Sequence, residues 1–192
     1  MEINGFFQTP ILIKDLNNNL QEIERECVLR SRLSEGRKIS NLGGWQSKDV
    51  FSDDRFFSDL ANQIQNIVID FAESIEIDLK SNNAIQMWIN INGYKDSNIL
   101  HDHPKSIFSG VYYVKVPQNA GNIKFYHPAH SLLERDWANL RVNTYNFYNS
   151  HVWSLSPVEN RIIVFPSWID HLVEPNLSHE ERISISFNVG VV

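Results

Sequence analysis

Apolar residues in the first part of the chain are spaced as they are in amphipathic helices. The segment 17–34 repeats them at steps of three and four, and a second segment beginning at Ser52 or Asp53 carries a longer stripe. The members of this second stripe are Phe57, Leu60, Ile64, Ile67 and Phe71. Ahead of both, the apolar run 5–14 is interrupted by Pro10, which cannot donate to a β-ladder and so favours an edge strand. The pattern predicts an edge strand and two helices that cover a sheet.

From Ile85 onward the pattern changes to short runs rich in β-branched and aromatic residues, separated by Gly, Pro and Asn. These runs predict strands at 85–92, 98–103, 107–116, 122–126, 152–155, 161–165, 169–173 and 182–189. The segment 128–150 lacks clear periodicity and is predicted as a long loop over the mouth of a barrel. Helices followed by strands predict one α+β, mostly β domain over 1–192, an antiparallel sandwich or barrel in which 1–84 supports a core at 85–192.

The composition is that of an ordinary globular domain. The chain has 192 residues, 42% hydrophobic and 21% charged, so a core can form without staples. A net charge of −6 and the lack of a Lys/Arg cluster disfavour nucleic acid as a partner. The single cysteine, Cys27, excludes an internal disulfide and fits a reducing compartment. With no signal peptide and no membrane-length apolar run, we expect a cytoplasmic protein.

One short stretch sets two imidazoles two residues apart on a predicted strand. Side chains alternate between the faces of a strand, so His101 and His103 point to one side and Asp102 to the other. A third histidine, His171, lies on a later strand. Three neutral imidazole nitrogens can hold a divalent metal and leave positions open for small molecules, as in a catalytic site. The alternative is that these histidines lie at the surface or only satisfy hydrogen bonds.

Together with the motifs that follow it, the histidine pair resembles the iron and 2-oxoglutarate-dependent dioxygenases, and among them the prolyl-4-hydroxylase-like branch. In chain order the motifs are HDHP at 101–104, SGVYYV at 109–114, GNIKF at 121–125, RIIVFPSW at 161–168, DHLVEP at 170–175 and RIS at 182–184. Within that branch, the chain resembles a group of 2-oxoglutarate and iron oxygenases of phages and marine bacteria that share an HxHP pair. The resemblance implies a double-stranded β-helix, a cupin-like jelly-roll barrel with the two N-terminal helices packed on it.

The resemblance also implies roles for individual residues. His101 and His171 match the first and last iron ligands, and Arg182 matches the basic residue that pairs with the distal carboxylate of 2-oxoglutarate. A guanidinium offers a two-pronged match to such a carboxylate. Ser184 faces the same side and can add a hydrogen bond, and Tyr113 matches a tyrosine whose hydroxyl reaches the same carboxylate. The alternatives are a surface ion pair for Arg182 and a plain core position for Tyr113.

The chain departs from the family pattern at the second ligand. The family has HxD or HxE, whereas His103 holds the position of the carboxylate here. Asp102 is the alternative second ligand, but a bulge in the strand would be needed to turn it toward the metal. We therefore predict an iron site of three histidines, His101, His103 and His171. Such a site leaves Fe(II) its full double positive charge, which the 2-oxoglutarate dianion can neutralise, and should change how readily the iron is oxidised.

Three functions follow from these residues, and we favour the first. It is an Fe(II)- and 2-oxoglutarate-dependent oxygenase that hydroxylates a small-molecule or peptide substrate and releases succinate and CO2. The second is a three-His dioxygenase that uses no keto acid and holds a substrate carboxylate with Arg182. The third is a binding or structural β-barrel whose metal is architectural or absent. The sequence identifies no substrate, and the apolar edge near Phe6 and Phe7 leaves a homodimer open.

Overall fold

The computed structural model describes residues 1–50, 54–79 and 84–190, in which strands predominate. The helices are α1 (Leu20–Leu33), α2 (Ser58–Ser74) and α3 (His130–Trp137). The strands are β1 (Leu12–Asp15), β2 (Asn41–Leu42), β3 (Trp45–Gln46), β4 (Ile85–Asn92), β5 (Ser97–His101), β6 (Phe108–Lys115), β7 (Ile123–Tyr126), β8 (Val152–Leu155), β9 (Arg161–Pro166), β10 (His171–Val173) and β11 (Arg182–Val189). No helix in the described ranges is long and apolar enough to cross a membrane.

Two antiparallel sheets form the body of the protein. The larger has the strand order β1-β9-β6-β11-β4-β3, and the smaller has the order β2-β5-β10-β7-β8. Strands far apart in the chain pair with one another, as β4 does with β11 and β5 with β10. The mostly β jelly-roll prediction is confirmed, although the two sheets do not close into one hydrogen-bonded barrel within the described residues. β1 lies at the edge of the larger sheet, as Pro10 indicated.

Side chains along β11 alternate between the main core and a pocket. Ile183, Ile185 and Phe187 are buried in the main core, which they share with the apolar stripe of α2. Arg182 and Ser184, on the opposite face of the same strand, line a pocket between the sheets. The two N-terminal helices, α1 and α2, therefore cover the outer face of the larger sheet, as predicted, and leave its inner face for the pocket.

A glycine in the SGVYYV motif permits close packing at this sheet. A Cβ on Gly110 would lie 2.2 Å from the ring of Phe187 and 2.4 Å from the carbonyl oxygen of Ile163. Any side chain there would push β6 away from its neighbours β9 and β11. Of these two strands, β11 carries Arg182. This motif therefore has a packing role as well as its place in the resemblance.

Several predicted bounds differ from those observed. The N-terminal strand covers only 12–15 instead of 5–14, and β5 ends at His101, two residues earlier than predicted. α3 lies in the segment predicted as a loop; it has only eight residues, and none of them is buried. The predicted cap residues of α2, Ser52 and Asp53, lie outside the described residues.

Candidate metal centre

Three histidines, here called the histidine cluster, meet at one point of the smaller sheet. His101 ends β5 and is paired directly with His171 at the start of β10. His103 lies just beyond β5, where its backbone N–H donates to the carbonyl oxygen of Ser167 at 2.9 Å. Each histidine offers a ring nitrogen within 4.8 Å of the other two. The structure thus brings the three predicted ligands together, with His103 two residues beyond the end of β5.

Backbone carbonyls determine which nitrogen faces the centre in two of the rings. Nδ1 of His101 lies 2.7 Å from the oxygen of Ile99, and Nδ1 of His171 lies 2.9 Å from the oxygen of Ile169. A carbonyl oxygen only accepts, so each Nδ1 carries the proton and each Nε2 keeps its lone pair for a ligand. In both cases the carbonyl belongs to the residue two positions before the histidine.

The nitrogen positions fit a common divalent ion. The Nε2 atoms of His103 and His171 lie 3.3 Å apart. Two nitrogens that bind one ion at about 2.1 Å are separated by about 3.0 Å at octahedral angles and about 3.4 Å at tetrahedral ones. The observed spacing lies between these values, so the cluster fits a metal without rearrangement of this pair.

Burial keeps the cluster in its metal-binding form. It lowers the pKa of His171 to about 3, with the neighbouring His101 adding to the effect, and it lowers the pKa of His103 to about 4. The pKa of His101 is also lowered by burial, against its hydrogen bond to Ile99. Neutral imidazole is the form that binds a metal, so near pH 7 all three rings can donate a lone pair.

Asp102 takes no part in the cluster. Its side chain is exposed, whereas the two histidines that flank it are partly buried. Among the described residues, the group that could hold a metal here contains only histidines. The register shift in the pairing of β5 with β10 therefore does not turn this carboxylate inward, and three neutral imidazoles meet at this point.

The cluster shares one pocket with residues of the larger sheet. Besides the three histidines, the walls include Arg182, Ser184 and Tyr113. Ser184 on β11 pairs directly with Tyr113 on β6, so both side chains project from the inner face of the larger sheet. Burial raises the pKa of Tyr113 to about 12, which keeps its hydroxyl protonated and able to donate. Trp88 of β4 also lines the pocket, with its ring centroid 5.8 Å from that of His103.

Arg182 is a buried cation without a carboxylate partner among the described residues. Only 1% of it is exposed, which excludes the surface ion pair considered from sequence. Its Nη1 donates to the carbonyl oxygen of Ala120 at 2.5 Å and, more weakly, to those of Gly121 and Glu174 at 3.5 Å. Burial lowers its pKa, while Tyr113 and the carboxylate of Asp96, which is not at ion-pair distance, oppose the shift; a guanidinium stays charged at neutral pH. A buried charge of this kind requires a counter-ion, which a carboxylate in the pocket would supply.

The sequence did not reveal every group that shapes the site. The carbonyls of Ile99 and Ile169, which orient two rings, leave no trace in side-chain identity. The only sequence signal is their common position two residues before a histidine. Trp88 and Asn90, two residues apart on β4, both line the pocket.

Solved structures that share this fold include two prolyl hydroxylases and a protein with nickel and 2-oxoglutarate bound. A prolyl-4-hydroxylase of Pseudomonas putida is 12% identical, with 95% of this chain and 92% of that chain covered and a TM-score of 0.67. A prolyl hydroxylase of Trichoplax adhaerens, in complex with a hypoxia inducible factor peptide fragment, is 14% identical, with 94% and 83% covered and a TM-score of 0.62. HygX of Streptomyces hygroscopicus, with nickel and 2-oxoglutarate bound, is 11% identical, with 95% and 83% covered and a TM-score of 0.62.

The family is identified by sequence. No curated protein matches the chain. Residues 86–188, however, match the family model described as "Putative 2OG-Fe(II) oxygenase". This match spans more than half of the chain and contains all three histidines of the cluster as well as Arg182. The protein therefore belongs to the 2-oxoglutarate and Fe(II)-dependent oxygenases.

Proposed function

We propose that the histidine cluster holds Fe(II) and that Arg182, with Ser184 and Tyr113, holds the distal carboxylate of 2-oxoglutarate. The observation that carries this proposal is the shared pocket, in which three neutral imidazoles face a buried guanidinium that lacks a carboxylate partner in the described ranges. The imidazoles suit a divalent cation and the guanidinium suits an anion. A dicarboxylic keto acid, which chelates with one end and carries a carboxylate at the other, fits both.

The reaction is the hydroxylation of an organic substrate. Bound Fe(II) supplies the chemistry that couples decarboxylation of 2-oxoglutarate by O2 to the insertion of one oxygen atom into a C–H bond, with succinate and CO2 as co-products. The protein's own residues orient the keto acid: Arg182 neutralises its far carboxylate, and the protonated Tyr113 hydroxyl can donate to it. The pocket walls keep bulk water away from these contacts, which strengthens them.

The third histidine changes the charge of the site. With a carboxylate ligand, Fe(II), Arg182 and the keto-acid dianion would sum to zero, whereas with His103 in that position the sum is one positive charge. The excess charge favours the binding of anions, because electrostatic interactions are stronger in a buried site than in water. We infer that this centre holds 2-oxoglutarate, and also succinate, more tightly than an HxD centre of the same shape.

Residues outside the site have supporting roles in this proposal. We infer that 1–84 and 85–192 form one domain, since α2 and the strands of the larger sheet share the main core. The substrate is a small molecule or a peptide; the Trichoplax adhaerens enzyme is in complex with a peptide fragment. A cytoplasmic location and a homodimer formed through the N-terminal edge stay predictions.

Calorimetric titration of the Fe(II)-loaded protein with 2-oxoglutarate under anaerobic conditions tests the proposal. We expect binding that requires the metal and that weakens at least about 30-fold in Arg182→Leu, because a desolvated carboxylate loses its charged partner. Arg161→Leu is the matched control, since Arg161 forms an ion pair with Asp15 away from the pocket. Binding that is unchanged in Arg182→Leu, or equally weakened in Arg161→Leu, would overturn the assignment.

A further inference from the structure

Beyond the pocket, one row of side chains runs across the smaller sheet from the histidine cluster to the protein surface. His171 pairs directly with His101 on one side and with Phe125 on the other, and Phe125 pairs with Trp153. Directly paired residues of antiparallel strands project from the same face of a sheet. Trp153 therefore stands on the face that carries the metal-binding side chains, two strands from His171.

The row changes from buried to exposed at its last member. Phe125 is buried against Phe165, with ring centroids 4.9 Å apart, whereas Trp153 on the edge strand β8 is 37% exposed. The ring of Phe147 stacks on Trp153 with centroids 5.1 Å apart and planes 28° apart. Phe147 is itself 85% exposed. Packing within the protein does not account for an aromatic stack left so open to solvent.

The loop that carries Phe147 is held in place by its own amides. Oδ1 of Asn146 accepts from the backbone N–H of Tyr148 at 2.8 Å. The Asn149 amide accepts from the backbone N–H of Asn146 at 2.7 Å and donates to the carbonyl oxygen of Thr144 at 3.0 Å. These bonds order the backbone while the aromatic side chains stay outside. A ring presented in this way loses little conformational entropy when it binds a partner.

The same bonds and the local charges limit what the aromatic stack recognises. The Asn149 amide makes one hydrogen bond at each end within the loop, which leaves it one N–H and one lone pair for a ligand. Between residues 130 and 155 the formal charges cancel, with two arginines against Glu134 and Asp136. Arg135 is paired with Asp136 at 2.7 Å, and Glu134 lies 3.5 Å from His151. A phosphate or other strong anion would gain little here.

We propose that Phe147 and Trp153 bind an uncharged aromatic ring of a small-molecule substrate and thereby hold the carbon to be oxidised at the metal. This inference rests on the proposed function and names a substrate class for it. Neighbouring strands lie about 4.8 Å apart, so the ring is held on the order of 10 Å from the His171 end of the row.

Ligand-detected NMR titration of the metal-loaded full chain, with 2-oxoglutarate present, tests this assignment with p-cresol and indole as probes. We expect both probes to bind and Phe147→Ala to weaken them about three- to tenfold, the scale of one aromatic pair. Phe147→Trp should restore the affinity. Tyr145→Ala is the matched control, because Tyr145 lies in the same loop, is 62% exposed and has no part in the stack.

The opposing outcomes are equally specific. Equal affinity in wild type and Phe147→Ala, equal loss in Tyr145→Ala, or preferential binding of methyl glucoside or inorganic phosphate would overturn the inference. If the peptide acetyl-Ala-Tyr-Ala amide binds far more tightly than p-cresol, the assignment of a small-molecule substrate is overturned in favour of a peptide. The measurement does not depend on turnover. Binding of p-cresol and indole without binding of 2-oxoglutarate would contradict the proposed function only. Binding of 2-oxoglutarate without binding of the two probes would contradict this inference only.

Discussion

The two ends of the pocket are built in different ways. Arg182 stands on β11, which pairs with β4 along its whole length and with β6 on its other side. The histidine cluster stands on β5 and β10, whose pairing shifts register between His171 and Val173, and on the irregular segment after β5 that holds His103. The anion end is thus fixed by long strands, whereas the metal end depends on a few backbone carbonyls that orient its rings. Mutations at the two ends should therefore differ in what they disturb.

The largest effect is expected at the metal end. His171→Ala removes the most buried of the three ligands and should weaken Zn(II) or Fe(II) binding at least about 100-fold, because two imidazoles hold an ion poorly. Competition with a chromophoric chelator measures the affinity. His179→Ala is the control, since this histidine is exposed and stacks on Tyr94 outside the cluster. Similar affinities in wild type and His171→Ala would place the metal elsewhere.

A substitution that restores the HxD pattern of the family tests whether the excess positive charge of the three-histidine site strengthens 2-oxoglutarate binding. His103→Asp should keep iron bound but lower 2-oxoglutarate affinity on the order of tenfold, because it removes the excess positive charge of the site. Anaerobic calorimetry with Fe(II)-loaded protein measures this change. His103→Asn, which adds no charge, is the control. An increase in keto-acid affinity in the aspartate variant alone would contradict the charge argument.

The metal-free protein should become less stable as pH falls, through its histidines. The folded pKa values of His171 (about 3) and His103 (about 4) lie below 6.5, the usual value for histidine, so the unfolded state binds more protons between these limits. The free energy of unfolding is therefore retained well above pH 6.5 and falls toward pH 4, by about 3 kcal/mol for each of the two histidines. Urea denaturation at pH 7, 5.5 and 4.5 measures it. His171→Leu should flatten the curve, and an unchanged slope would contradict the account.

The smallest effect is expected beside Arg182. Ser184→Ala removes one neutral hydrogen bond to the keto acid and should cost about 1 kcal/mol of 2-oxoglutarate binding, roughly fivefold in affinity. Ser186→Ala is the matched control one position further along the same face, where the hydroxyl accepts from the Asn90 amide at 2.9 Å. Equal losses in the two variants would show that Ser184 has no direct contact with the ligand.

The Arg182 end of the pocket was predictable from sequence, and the end with the histidine cluster only in part. Alternation of Arg and Ser with Ile along 182–187 predicted which side chains of β11 face inward, and the observed bounds of that strand, β4 and β8 agree with the prediction. His103 was predicted to lie within the strand, but β5 ends two residues before it. Its backbone N–H donates to Ser167, far away in the chain, a contact that no local pattern contains.

The segment 128–150 was predicted as a loop, and α3 within it was missed. α3 has only eight residues and no buried side chain, so its apolar residues span too few turns to mark a helix. At the N-terminus the error was the reverse, since a strand was predicted where none forms. Phe6 and Phe7 suggested a strand, yet both are exposed and lie outside β1. Hydrophobic patterning predicts elements that pack on a core, and it fails where apolar residues stay at the surface.

Optical titration tests most directly the claim that metal and keto acid share one pocket. Under anaerobic conditions, 2-oxoglutarate added to the Fe(II)-loaded protein should produce the visible charge-transfer band of a chelated keto acid, and succinate, which lacks the keto group, should not. Arg182→Leu should need at least about 30-fold more 2-oxoglutarate to reach the same band. Iron that is bound without a band, or a band whose dependence on 2-oxoglutarate is the same in Arg182→Leu, would contradict the account.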